Sequence, residues 1–439
     1  MGIFFGTDGI RGIVNQNLNN NLCFNCGNAL AQSTKNAKIL VGTDTRISSS
    51  LVATAFTLGA ISGGANVTNV GICPTAGICY LAKSLEYDYG VTITASHNPA
   101  EFNGIKIFNS LGYKLEDKAE ENLERKFVYN KIEEACKVGQ LEYNLKLTSN
   151  YLDHLINSIN FDLSGLTIVI DASNGAGYHF APKAFSSLGA KIIKINCKND
   201  GKNINNNCGS LYPSLLTKRV KQYKADFGIA LDGDADRVIA VDNNGDIVDG
   251  DILIFIFAKY LNSIGKLKSS CVVGTRHTNM GIEKELNANK INLIRTDIGD
   301  KYVIKELVDN QLSLGGEQSG HIILADYETT GDGILSGLML AKIIKESNQP
   351  LSELKKVKLY PQCNINCIVH DKMKIINSAQ LSEAIKNEEY QLGNSARVMV
   401  RVSGTEPKIR IMVEALSEEL AKNSATRLAE TINKIDVEN

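Results

Sequence analysis

No stretch of the sequence approaches the ~20 consecutive apolar residues that a membrane-crossing helix requires. The apolar opening Met1-Gly2-Ile3-Phe4-Phe5 breaks at once into Gly6-Thr7-Asp8-Gly9, which is not the layout of a secretory signal. Excess charge of either sign is missing as well: 47 Lys+Arg stand against 48 Asp+Glu, formally −1 at pH 7. That balance excludes a global basic field for nucleic acid or an anionic membrane, so an anionic ligand must be held by local groups. Clustered cysteine is absent too. The ten cysteines are scattered. Cys23-x-x-Cys26 and Cys363-x3-Cys367 could share a zinc ion, but the first pair falls in a helical pattern and the second in a strand-like one. Free thiols in a reducing, cytoplasmic setting are the expectation. With 43% hydrophobic and 22% charged residues, the chain is that of a globular protein and not of a disordered one.

What is present is a repeated pattern. A length of 439 residues suggests roughly three domains. Short β-branched runs end in polar loops: Ile39-Leu40-Val41 before Gly42-Thr43-Asp44, Ile168-Val169-Ile170 before Asp171-Ala172-Ser173-Asn174-Gly175, and Val272-Val273 before Gly274-Thr275. Such runs read as strands buried on both faces of a parallel sheet. Helical patterns follow; Ser48 or Ser49 can cap a helix on which Leu51, Ala55, Leu58 and Ile61 recur at helical spacing. Alternating strands and helices give an α/β protein whose ligands sit at the carboxyl ends of strands, so chemistry is expected in those polar loops. Boundaries are expected near 150, 250 and 360, dividing the chain into 1–150, 151–250, 251–360 and 361–439. In the last segment, apolar positions 398, 400 and 402, then 409, 411 and 413, mark two strands flanking a loop at 403–408.

The strongest chemical signal is Asp232-Gly233-Asp234-Ala235-Asp236-Arg237, between the apolar runs Phe227–Leu231 and Val238–Val241. Carboxylates at a spacing of two project to one side of an extended chain, and three hard oxygen ligands with open positions suit Mg²⁺. An EF-hand is excluded, because Arg237 stands where its glycine belongs and Asn243 where its glutamate belongs. The competing reading is a solvated acidic turn. Ser96, in Thr94-Ala95-Ser96-His97-Asn98-Pro99, can be a nucleophile, a cap or a turn residue, and His97 cannot pair with it if the chain there is extended. Gly6–Gly12 surrounds Arg11 with glycines in the manner of an oxyanion loop. Arg401, Ser403, Thr405 and Arg410 resemble a phosphate clamp, while Glu317 and Ser319 offer a carboxylate and a hydroxyl suited to sugar hydroxyls.

Over its whole length the chain resembles the α-D-phosphohexomutase superfamily. Four motifs occur in that family's order: TASHNP, DGDADR, GEQSGH and SGTEP. FGTDGIRG near the start, GGEQSGHI, TTGDG at 329–333 and SGTEPKIR are closest to its phosphoglucosamine mutase branch. Arg276-His277 and Cys208–Pro213 depart from the family pattern.

The resemblance implies four domains around a central cleft, three related α/β domains with mixed sheets and a smaller C-terminal α+β domain. It implies that Ser96 is the phosphoserine and that its phosphoryl group joins Asp232, Asp234 and Asp236 around one Mg²⁺. Arg11, Lys106, Arg237 and His321 would stabilise charge or carry protons. Glu317 and Ser319 would hold the sugar, and Arg401, Ser403, Gly404, Thr405 and Arg410 the phosphate that is not reacting. The implied activity is interconversion of glucosamine 6-phosphate and glucosamine 1-phosphate through a 1,6-bisphosphate intermediate. The partner is thus a small hexosamine phosphate, with neither nucleic acid nor membrane expected; a homodimer is left open. Mannose- or glucose-phosphate mutases of the same superfamily, and a metal-dependent sugar phosphatase, are the alternatives.

Overall fold

A computed structural model describes residues 4–6, 8–129, 135, 137–393, 396–403 and 407–437. They form two compact units, one comprising Met1–His277 with Lys290–Lys356 and the other Thr278–Asn289 with Val357–Asn439.

The first unit holds three mixed sheets. In the seven-stranded sheet, Lys38–Thr43 runs parallel to Tyr89–Ile93 on one side and Asn66–Ile72 on the other. Phe102–Asn109 and then Gly9–Ile13 continue it antiparallel. The five-stranded sheet has Thr167–Asp171 at its parallel centre, between Lys191–Ile195 and Phe227–Leu231, with Val238–Asp242 antiparallel beyond the latter. The four-stranded sheet repeats the plan: Cys271–Thr275 is parallel to Asn292–Thr296 and Leu314–Gly316, and Ile322–Leu324 is antiparallel. The expected parallel strands are therefore present, each set closed by antiparallel neighbours. Their β-branched residues are fully buried, among them Ile39, Val41, Ile168, Ile170, Val272 and Val273.

Two details of the helix after Lys38–Thr43 differ from expectation. Helix Ser49–Ser62 has Ser48 at its N-cap position but no side-chain cap. The Ser49 hydroxyl donates instead to Asp44 Oδ1 at 2.9 Å. The Leu51/Leu58 stripe faces outward, with these residues 38% and 54% exposed. The buried face is Val52, Ala53, Phe56, Gly59 and Ala60. It lies so close to helix Asn20–Ala31 that a Cβ at Gly59 would stand 1.9 Å from the Phe24 carbonyl oxygen. Backbone-to-backbone packing thus favoured the small residues over the larger leucines.

In the second unit, Lys408–Glu414 lies antiparallel between Gln362–Ile368 and Arg397–Val402. Helices such as Ala379–Leu392 and Glu418–Val437 complete this small α+β body. Helix Met280–Ala288 belongs to it as well, although it interrupts the third sheet in sequence. Buried Glu414 accepts the Met280 N–H at 2.9 Å, and Asn279 exchanges two hydrogen bonds of 2.9 Å with the backbone of Tyr360.

Candidate active site

Three loops of the first unit occupy the same place in their sheets. Thr94–Glu101, Asp232–Arg237 and Glu317–His321 each join a strand of the parallel set to its antiparallel neighbour. The loops at Asp44 and Asp171, marked by the sequence pattern, lead into hydrogen bonds to this group: Arg46 Nη2 donates to the Ser96 carbonyl and the Ala176 N–H to the Gly233 carbonyl.

Ser96 sits at φ +50°, in the left-handed region, and is fully buried. Its Oγ donates to Asp232 Oδ2 at 2.6 Å. The expectation that Ser96 and His97 diverge fails for the same reason: the chain is not extended there, and Ser96 Oγ lies 3.4 Å from His97 Nδ1. Burial, with help from Arg237 and Arg11, lowers the His97 pKa to about 4, so this ring is neutral at pH 7.

The acidic loop also departs from the extended geometry expected of it. Ala235 takes φ +60°, and the resulting turn brings oxygens of Asp232, Asp234 and Asp236 within 4.8 Å of one another. Gly233 permits the approach to the serine loop, since a Cβ there would stand 2.4 Å from the Ser96 carbonyl oxygen. All three carboxylates are buried. Burial, then Asp236 and Asp234, drive the Asp232 pKa well above the usual carboxylate value. Asp234 Oδ1 and Asp236 Oδ1 have no hydrogen-bond partner. Hard, crowded oxygens left unpartnered in a buried turn fit a divalent cation and contradict the solvated-turn reading. Among the described residues no cysteine belongs to a metal-capable cluster, and Cys23 and Cys26 lie in a different unit from Cys363 and Cys367.

Cations line the other side. Lys106, buried in strand Phe102–Asn109, reaches Asp234 Oδ2 at 2.7 Å, Asp236 Oδ2 at 3.0 Å and Asp8 Oδ2 at 3.1 Å. Burial alone would lower its pKa, but Asp234, Asp236 and Asp8 outweigh it and raise the pKa well above the usual value. Lys106 is thus a fixed charge. Arg11 pairs with Asp8, and Arg237 Nε lies 3.9 Å from Asp236 Oδ1. Buried His321 presents Nδ1 to Asp236 at 3.8 Å and Nε2 to Asp300 at 3.6 Å. Burial disfavours its charged form, yet Asp236 and Asp300 raise its pKa overall. In the neutral ring, Nε2 accepts the Gly331 N–H at 3.1 Å, leaving the proton on Nδ1. Half-buried Glu317 accepts the Gly299 N–H at 3.1 Å, and Ser319 is exposed.

Sequence reasoning missed Asp8, Lys114 and Asp300. Lys114 pairs with both aspartates, tying the Arg11 loop to the start of helix Asp300–Asp309. Asp8 stood in a recognised motif; Lys114 and Asp300 had no spacing signal, because 186 positions separate them.

In the second unit, Arg401 and Arg410 are direct cross-strand partners. Burial and the charge of Arg410 lower the Arg401 pKa. Ser403 is buried, and its N–H donates to the Lys408 carbonyl at 2.8 Å. Gly404 and Thr405 lie outside the described residues.

Comparison with known proteins gives four successive matches. They are phosphoglucomutase/phosphomannomutase alpha/beta/alpha domain I over 2–134, domain II over 149–245, domain III over 249–360 and the C-terminal domain over 365–431. A phosphoglucosamine mutase of Alkaliphilus oremlandii is 44% identical across 99% of both chains. The chain belongs to the phosphoglucomutase/phosphomannomutase family. Its domains number four, where length alone suggested about three. The fold is shared with a phosphoglucomutase/phosphomannomutase family protein of Burkholderia thailandensis, at TM-score 0.84 and 21% identity over 97% of each chain. It is also shared with the Aspergillus fumigatus N-acetylphosphoglucosamine mutase solved with GlcNAc-6P and magnesium, at TM-score 0.70 and 16% identity over 99% of this chain and 96% of that one. No described helix is long and apolar enough to cross a membrane.

Proposed function

We propose that this family member is a phosphoglucosamine mutase. It would interconvert glucosamine 6-phosphate and glucosamine 1-phosphate through phosphorylated Ser96 and glucosamine 1,6-bisphosphate, supplying amino-sugar nucleotide and cell-wall precursor synthesis. The observation that carries this reading is Ser96 Oγ, held 2.6 Å from Asp232 Oδ2 beside carboxylate oxygens that have no hydrogen-bond partner.

Asp232, Asp234 and Asp236 would hold one Mg²⁺, which when bound neutralises charge on the transferring phosphoryl group. Phosphorylated Ser96 gives its phosphoryl group to the free sugar hydroxyl: the Oγ–P bond breaks as the sugar O–P bond forms. The hydroxyl proton passes to neutral His321 at Nε2, which gives up the Gly331 N–H, and Asp236 and Asp300 stabilise the imidazolium that results. Lys106, Arg11 and Arg237 face the negative charge spread over the phosphoryl oxygens. Glu317 and Ser319 orient the sugar. Once the bisphosphate has turned over, its other phosphate returns to Ser96.

Two anchors are required, since one phosphate must be held while the other reacts. Arg401, Ser403, Gly404, Thr405 and Arg410 are the second. Two arginines facing each other across a strand pair repel, and an anion between them removes that cost.

A coupled assay on glucosamine, glucose and mannose phosphates tests the reading, together with intact-mass detection of phosphate on Ser96. The expected result is preference for the glucosamine phosphates by kcat/KM. Equal rates on all three would make the chain a broad hexose mutase, and inorganic phosphate as the main product would make it a phosphatase.

A further inference from the structure

The loop after strand Lys38–Thr43 was marked by its sequence pattern, yet none of its residues enters the mechanism above. Its Arg46 and Asp44 side chains form an ion pair with 0% exposure, Nε to Oδ2 at 2.9 Å. The rest of the guanidinium is turned on the nucleophile loop. Nη1 donates to the carbonyls of Pro99 and, at 3.0 Å, Phe102. Nη2 donates to the carbonyls of Ser96 at 2.9 Å and Asn98 at 2.7 Å. All five guanidinium donors are thereby assigned. From a turn beyond strand Lys191–Ile195, Asn205 Nδ2 reaches the Ser96 and Asn98 carbonyls at 2.8 and 3.0 Å.

The other side of Ser96 is tied as well. Its N–H donates to Thr94 Oγ1 at 3.0 Å, and that hydroxyl donates to Asp44 Oδ2 at 2.7 Å. Both backbone groups of Ser96 are therefore fixed, and both ties return to Asp44. The residue needs them. Its φ of +50° is disfavoured for any L side chain, and relaxing to extended chain would swing Oγ away from Asp232.

We propose that Arg46 is a positioning residue for Ser96: with Asp44, Thr94 and Asn205 it clamps the left-handed serine backbone and so aims Oγ at the phosphoryl group. The inference rests on Ser96 being the phosphoryl carrier. A lysine cannot replace Arg46, because a single ammonium cannot serve the planar, five-donor arrangement.

The test uses the full chain with Arg46→Lys, Asn205→Ala, Thr94→Val and Thr94→Ser, with Ser96→Ala as reference. Each is loaded with glucosamine 1,6-bisphosphate and followed by rapid quench through a single transfer, with steady-state kcat and KM and the melting temperature measured alongside. Arg46→Lys and Thr94→Val should lose about a hundredfold in single-turnover rate and kcat while KM stays near the wild-type value, since slight misplacement of a reacting atom has that effect. Thr94→Ser, which keeps the hydroxyl, should restore the rate. A merely structural role would lower the melting temperature without this kcat-only loss. If Arg46→Lys fails to fold, the Thr94 pair and Asn205→Ala decide. Folded Thr94→Val and Arg46→Lys enzymes with wild-type kcat, beside an inactive Ser96→Ala, would overturn the clamp alone. An active Ser96→Ala would overturn the functional reading and this inference with it.

Discussion

Around Ser96, the buried cations Lys106 and Arg46 have their partners before any substrate arrives. Lys106 is held among Asp234, Asp236 and Asp8, and Arg46 has every donor on Asp44 or a loop carbonyl. The C-terminal sheet sets two like charges side by side. Arg401 and Arg410 face each other as like charges, and the Arg401 pKa is pulled down by burial and by its neighbour. Groups fixed in advance need no reorganisation as charge develops, which is what a reacting centre requires. A repulsive cation pair instead favours occupancy by an anion, which suits an anchor that must take and release either phosphate of a reorienting sugar.

The comparison can be broken most severely at the nucleophile. Ser96→Ala should lose roughly a thousandfold or more in turnover, because no other hydroxyl donates to Asp232 among the described hydrogen bonds. Phosphate found only elsewhere on an active Ser96→Ala protein would end the assignment. Next in size is the acidic triad. Chelation should abolish activity and Mg²⁺ restore it, while Asp234→Asn should weaken Mg²⁺ binding in calorimetry and lower kcat about a hundredfold. Full activity in metal-free buffer would remove the cation from the site.

The C-terminal arginines should answer differently. Arg410→Ala should raise KM and lower kcat by about ten- to a hundredfold, since remote phosphate binding positions the sugar. Phosphorylation of Ser96 should survive, because neither the serine loop nor the acidic loop draws on Arg410. A destabilised but kinetically normal Arg410→Ala would make the pair structural. Finally, if Glu317 grips the sugar amine, Glu317→Gln should cut the preference for glucosamine over glucose phosphate about tenfold. An unchanged ratio of kcat/KM would move amine recognition elsewhere.

By itself the sequence determined the strand-and-loop repeat, the acidic loop, the serine loop and the C-terminal hairpin, because these depend on short-range alternation and on residue types within a few positions. It also determined the family, through four motifs in order. Only the tertiary structure decided how those pieces act on one another. The left-handed turns at Ser96 and Ala235 replaced the extended chain that spacing suggested; Arg46 and Asn205, from two distant segments, and Thr94 of the same loop hold Ser96. The outward Leu51/Leu58 stripe followed from close helix packing at Gly59. Asp8, Lys114 and Asp300 came together from distant segments, and helix Met280–Ala288 joined the C-terminal unit across intervening chain. Such contacts are set by which strands share a sheet and which loops then face each other, and local periodicity contains no record of that choice.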